Sequence, residues 1–193
     1  MILPIVAYGS PLLKVVAQPI TPDYPDLKQL IENMWDTMYN ANGVGLAAPQ
    51  IGKSIRLFIM DSAQLMVDKD EDDDDNHLLK NGVKQVVINP KLLKFEGEEF
   101  AYNEGCLSIP NIREDVYRPS IVTMEYQDEY FKTHTATFDT INARIIQHEY
   151  DHIDGVLFTD HLKPLKRKLL KNKLEDIAKG YVKTDYRMKF GVK

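Results

Sequence analysis

The feature that most limits what this chain can fold into is the pentapeptide His148-Glu149-Tyr150-Asp151-His152. Side chains four residues apart lie one turn apart on one helix face, so helical backbone here brings both imidazoles to a single metal ion. The neighbouring residues agree with that. Ile141, Ile145, His148 and His152 recur at intervals of three and four, and Gly155 follows as a stop, which predicts a helix over residues 138–153. The H-E-x-x-H arrangement also sets a glutamate beside the first histidine. The chemistry of that arrangement is metal-assisted hydrolysis with Glu149 as general base.

Two histidines are not enough, because a catalytic zinc-type site takes three protein ligands and keeps one position open. Downstream, Gly155 fits the extended metalloprotease pattern, but Phe158 stands where that pattern has its last histidine. Asp160 and His161 follow at no diagnostic spacing. Upstream, the single cysteine, Cys106, lies in the polar, glycine-marked segment Glu104-Gly105-Cys106-Leu107-Ser108. A lone cysteine can be a small core residue, a catalytic thiol or a ligand, and the local pattern leaves all three open. A third segment, residues 43–50 (GVGLAAPQ), joins two glycines that permit close backbone approach to Gln50, whose amide can donate to a developing oxyanion. Read alone, it is equally a turn between a helix and a strand.

The rest of the chain supplies ordinary globular material. It is 44% hydrophobic and 27% charged over 193 residues, enough for one domain with a real core. One cysteine excludes an intrachain disulfide, which suits a reducing, cytoplasmic setting. The apolar opening lacks a basic leader and contains Pro4, so no export signal is expected. No stretch reads as a membrane span. Residues 26–39 carry Leu27, Leu30, Ile31, Met34 and Met38 at helical spacing, ended by Asn42-Gly43. Strands are expected at 55–60, 85–88 and 91–95, the last two separated by a turn at Asn89-Pro90, with a hairpin formed by 121–126 and 133–138. The acidic run at 68–75 (DKDEDDDD) reads as a mobile surface loop. From Lys163 onward eleven basic residues stand against three acids, a net +8, leaving −13 for the first 162 residues of a chain whose total is −5. In that region Pro164 opens a helix whose buried stripe is expected to be Leu165, Leu169, Leu170, Leu174 and Ile177. Separated strands around one helix, with helices at both ends, make an α+β domain.

Taken in order, the segments GVGLAAPQ, EGCLS and HEYDH resemble the three motifs of the peptide deformylase family, G-x-G-L-A-A-x-Q, E-G-C-L-S and H-E-x-D-H. The opening Tyr8-Gly9-Ser10-Pro11-Leu12-Leu13 and the segment Asp154-Gly155-Val156-Leu157-Phe158 are similar to the family's flanks. The resemblance covers the chain apart from the acidic run and residues 181–193. It implies antiparallel sheets packed around a central helix that carries the HExDH motif, with a C-terminal helix, as one catalytic domain over 1–193. It implies a cytoplasmic hydrolase of protein biosynthesis that removes the formyl group of N-formylmethionine from nascent peptides and releases formate. The implied metal ligands are Cys106, His148 and His152, around one divalent ion per chain. Fe2+ is the expected native ion, and Zn2+, Ni2+ or Co2+ are expected to substitute.

In that scheme Glu149 moves the proton, while Gln50 and the Leu107 N–H hold the oxyanion. Val44, Gly45 and Ile109 receive the peptide backbone, and Ile141 and Ile145 line the methionine pocket or serve as plain core. Glu104 and Asp151 would support the histidines. Arg113 and Arg118 pair with such acids or are simply solvated. The partners expected are nascent peptides and, through the basic last helix, the ribosome. No DNA or membrane partner is expected, and the chain should be a monomer. The alternatives are an H-E-x-x-H zinc endopeptidase, which gives Cys106 no role, and an inactive binding protein on the same fold, which the intact Gln50, Cys106 and Glu149 argue against.

Overall fold

The computed structural model describes residues 1–66 and 81–191; the acidic run at 68–75 lies outside them. The element order is β1 (Ile5–Val6), α1 (Leu27–Asn40), β2 (Gly45–Ala47), β3 (Leu57–Asp61), β4 (Lys84–Cys106), β5 (Ile109–Gln127), β6 (Thr133–Asp139), α2 (Thr140–Ile153), α3 (Pro164–Ala178) and β7 (Met188–Lys189). Strands β2-β3-β4-β5-β6 form an antiparallel sheet in that order, and β1 pairs with β7 in parallel. The fold is α+β, as expected.

Strand β3 explains how the layers stack. Every residue from Leu57 to Asp61 is buried, which requires cover on both faces of the sheet. Successive side chains point to opposite faces. Leu57 and Ile59 pack with Met34 and Met38 of α1, while Phe58 and Met60 pack with Ile141, Ile145 and Ile146 of α2. Helix α2 is buried along nearly its whole length. Its polar residues must therefore find partners inside the protein. Asn142 Oδ1 accepts from the Ser62 hydroxyl at 2.6 Å, and Gln147 Nε2 donates to the Pro119 carbonyl at 3.0 Å. Helix α1 ends as expected at Asn42-Gly43. Asn42 itself takes the left-handed conformation (φ +53°), and the Gly43 N–H donates to the Met38 carbonyl at 2.9 Å.

Two expectations are corrected. Asn89-Pro90 is not a turn between two strands, because β4 runs through it with a bulge between Ile88 and Lys91. Asn89 (φ +49°) spends its side chain on the bulge, accepting from the Ile20 N–H at 2.9 Å and donating to the Ile20 carbonyl at 2.7 Å. The local break in pairing is thus satisfied without ending the strand. In α3 only Leu170, Leu174 and Ile177 are buried; Leu165 and Leu169 are each 69% exposed. At about 100° per residue, Leu169 points ~100° and Leu165 ~140° away from Leu170, outside the stripe that meets Val6, Ile109 and Phe158. The sequence stripe was drawn too wide. The motif helix α2 begins at Thr140, two residues later than expected, because β6 continues to Asp139.

Candidate active site

The turn between the two longest strands brings the cysteine to the histidine helix. Cys106 is the last residue of β4 and pairs across the turn with Ile109, the first of β5. The turn lies against α2, where Cys106 Sγ is 3.2 Å from His152 Nε2. The ligand atoms of Cys106, His148 and His152 all lie within 4.8 Å of one another, and no other such group occurs among the described residues. Donors on a tetrahedral ion with bonds of ~2.0–2.3 Å sit about 3–4 Å apart, so this trio fits one cation with small adjustments. The downstream candidates do not join it. His161 bonds to Asp151 at 2.7 Å, and Asp160 accepts from the Leu157 N–H at 2.8 Å and from Lys14.

The electrostatics favour a cation. Burial would push the Cys106 thiol up, but the flanking imidazoles outweigh it and hold the group at about 5, so the sulfur is a thiolate at neutral pH. Burial likewise disfavours a charged His148, yet Cys106 and Glu104 raise it well above the usual imidazole range. These negative partners attract positive charge whether it is a proton or a metal ion. Glu149 stands beside the trio, 4% exposed, with Oε2 buried and without a hydrogen-bond partner. Burial, reinforced by Cys106 and Glu104 against the two histidines, raises its carboxyl to about 7. Gly45 makes room for it, since a β-carbon there would overlap the Glu149 carboxylate.

Glu104 organises the back of the site. Its carboxylate accepts from His148 Nδ1 at 2.9 Å, Arg118 Nε at 2.7 Å and Arg144 Nη1 at 2.9 Å. The bond to Nδ1 orients the ring and leaves Nε2 for a metal. Desolvation opposes ionisation of Glu104, but His148 and Arg118 prevail and hold it far below the usual carboxylate range. Asp151 does not touch a histidine of the trio; it accepts from Arg118 Nη1 at 2.7 Å and so supports the site through that arginine. Arg118 is 4% exposed rather than solvated, whereas Arg113 is exposed and bonds to Asn103. Arg144 escaped the sequence reading. The available signal was its place four residues before His148, on the helix face already assigned to the interior.

Glu104→Ala should leave the buried Arg144 guanidinium without its counter-charge and Arg118 with only Asp151. The expected cost is about 3–5 kcal/mol of stability, seen as a lower melting temperature. Metal affinity should also fall roughly 10–100-fold by chelator competition. An unchanged melting curve and affinity would show that the network is dispensable.

A cavity of about 580 Å³ opens onto this centre. Val44, Gly45 and Gln50 line one side, Leu107 and Ile109 a second, and Ile141, Ile145, His148 and Glu149 a third, together with Cys106. His152 lies behind this lining, 1% exposed. Ile141 and Ile145 line the cavity and also belong to the core against the sheet. Gln50 Oε1 accepts from the Ala47 N–H at 2.8 Å, which turns Nε2 of the same amide toward Cys106 Sγ (3.5 Å) and Ser108 Oγ (3.3 Å). The sequence reading also missed Lys183, Thr184, Asp185 and Tyr186, which line the same cavity from the far end of the chain. No helix among the described residues is long and apolar enough to cross a membrane.

Residues 2–168 match the family model described as polypeptide deformylase. The peptide deformylase of Flavobacterium johnsoniae is 56% identical over 190 residues, covering 98% of this chain and 96% of that protein. That of Christiangramia forsetii is 53% identical over 190 residues, with the same coverage. The crystal structure of a peptide deformylase from Legionella pneumophila superposes with a TM-score of 0.78 at 36% identity, covering 94% of this chain and 98% of that one. A family match over most of the chain, and relatives more than half identical along nearly all of it, establish that this chain belongs to the polypeptide deformylase family.

Proposed function

We propose specific roles for the residues around the cavity. Membership in the family makes the chain an enzyme, a metallohydrolase that removes the N-formyl group from nascent polypeptides. The observation that carries the residue assignment is the convergence of Cys106, His148 and His152 beside the buried, unpartnered Glu149 carboxylate. Cys106, His148 and His152 would hold one divalent ion. When bound, that ion supplies Lewis acidity toward water and the formyl carbonyl.

Glu149 takes a proton from the attacking water at its carboxylate and returns it to the leaving amine, a task suited to a carboxyl near 7. The Gln50 amide and the Leu107 N–H donate to the oxygen that gains charge. Val44, Gly45 and Ile109 line the cavity, and an extended peptide would add its backbone hydrogen bonds beside them. Ile141 and Ile145 offer apolar surface to the methionine side chain. One thiolate and two imidazoles suit Fe2+, Zn2+, Ni2+ and Co2+ alike, so the proposal of Fe2+ as the native ion, with the others as substitutes, rests on the resemblance to the family and not on the donor set. The test is formate release from formyl-Met-Ala-Ser by anaerobically purified protein of measured metal content. Cleavage of internal peptide bonds without formate release would instead support the endopeptidase reading.

We also propose that the chain works as one catalytic domain, as a monomer in the cytoplasm, and that α3 meets the ribosome. Arg167, Lys168, Lys171 and Lys173 are exposed, and Leu165 and Leu169 stand among them as apolar contacts. Lys166 is tied to Glu114 at 2.7 Å and is less available. Changing Arg167, Lys171 and Lys173 to Glu should abolish co-sedimentation with ribosomes at low salt while sparing activity on a free tripeptide. Wild-type binding should weaken steeply with salt, as phosphate contacts do. Co-sedimentation that survives the charge reversal would reduce α3 to a solvated cap.

A further inference from the structure

Beyond α3 the chain turns back over the body. Gly180 (φ +82°) donates its N–H to the Ile177 carbonyl at 3.0 Å, and the Tyr181 N–H donates to the Asp176 carbonyl at 2.8 Å, which closes the helix end. The following residues alternate. Val182, Thr184, Tyr186, Met188 and Phe190 are half-buried, and the residues between them are exposed. This is the period of an extended strand laid on a surface. Strand β7 secures it, with the Ile5 N–H donating to the Arg187 carbonyl at 2.8 Å and the Ala7 N–H to the Lys189 carbonyl at 2.9 Å.

The segment just before β7 reaches the site. The Tyr186 hydroxyl donates to the Leu107 carbonyl at 2.9 Å, and Asn111 Nδ2 donates to the Lys183 carbonyl at 3.3 Å. Leu107 and Ser108 form the turn that carries Cys106. That turn is held on its other side by the Tyr8 N–H, which donates to the Ser108 carbonyl at 2.8 Å, and by Gln50 Nε2 on Ser108 Oγ at 3.3 Å. Tyr186 is thus the tether on the Leu107–Ser108 peptide group itself. The family match ends at residue 168, before this segment.

We infer that Tyr186 is a positioning residue for the reaction: by holding the Leu107 carbonyl it fixes the backbone of Leu107 in the turn, and with it the direction of the adjoining Leu107 N–H toward the substrate oxygen, and the tail from Lys183 to Tyr186 is a working wall of the cleft. The inference rests on the deformylase reading above. A turn free to rotate about the Leu107 backbone bonds lets the Leu107 N–H, which belongs to the preceding Cys106–Leu107 peptide, leave the position where charge develops, and such donors act only when held in place. The ring of Tyr186 fills the wall, while its hydroxyl sets the angle, so the two contributions separate in Tyr186→Phe.

The experiment compares wild type, Tyr186→Phe and, as a control, Tyr181→Phe, whose ring is 69% exposed. Each is assayed on formyl-Met-Ala-Ser at matched metal content. Tyr186→Phe should lower kcat roughly 3- to 30-fold, the range for one lost orienting hydrogen bond. KM should stay within about twofold, with bound metal and melting temperature near wild type, and Tyr181→Phe should match wild type throughout. Unchanged kcat in Tyr186→Phe overturns the inference, as does a fall explained by lost metal or lost stability. If wild type itself releases no formate, the deformylase reading fails instead, and the two failures are distinct.

Discussion

Glu149→Gln should keep its metal and its fold and lose deformylation by at least ~10²–10⁴-fold, the usual contribution of a positioned general base. The substitution preserves size and hydrogen-bonding capacity at a site where both matter. Glu149 is 4% exposed, and Gly45 lies so close that no β-carbon fits between them. Gln fills the same space but cannot take up a proton. The side chain is not one of the three converging donors, so metal content should not change. Exchanging a buried carboxylate for an amide also removes a desolvation cost, so the melting temperature should be equal or higher. Turnover near wild type at matched metal would remove Glu149 from the proton path. Loss of metal together with activity would make it a ligand instead.

Cys106→Ser should lose most of its bound metal, and activity with it, while staying folded. The serine hydroxyl is nearly isosteric but does not ionise in this range, whereas the two imidazoles hold the Cys106 sulfur as a thiolate. The fall in metal affinity should exceed the roughly 10–100-fold cost of losing an outer hydrogen-bond partner. Folding should survive because the residue sits at the end of β4, where its backbone pairing with Ile109 does not involve the side chain. Elemental analysis of anaerobic protein, with circular dichroism as the folding control, reads both quantities. A full complement of metal in this variant would refute the three-donor centre.

The amino-acid sequence by itself determined the features whose physics is local. Two histidines four apart share a helix face because a helix turns every 3.6 residues, and α2 carries them on the face that also holds Ile141 and Ile145. The end of α1 at Asn42-Gly43 and the β5–β6 hairpin follow from equally short-range chemistry. The three motif segments were recognisable as strings. The tertiary structure decided what depends on register and burial between distant residues. Cys106 meets His152 only because β4 runs unbroken through Asn89-Pro90 and ends against α2, and Asn89 permits that by bonding to Ile20, 69 residues away. In sequence Arg118 is either paired with an acid or solvated, and Arg144 carries no signal, until the fold closes over Glu104 and makes both pairings obligatory. Leu165 and Leu169 look buried by periodicity, yet a helix buries only the arc its neighbour covers. Tyr186 reaches Leu107 across 79 residues of sequence because β7 finds its partner in β1, a pairing that no window along the chain contains.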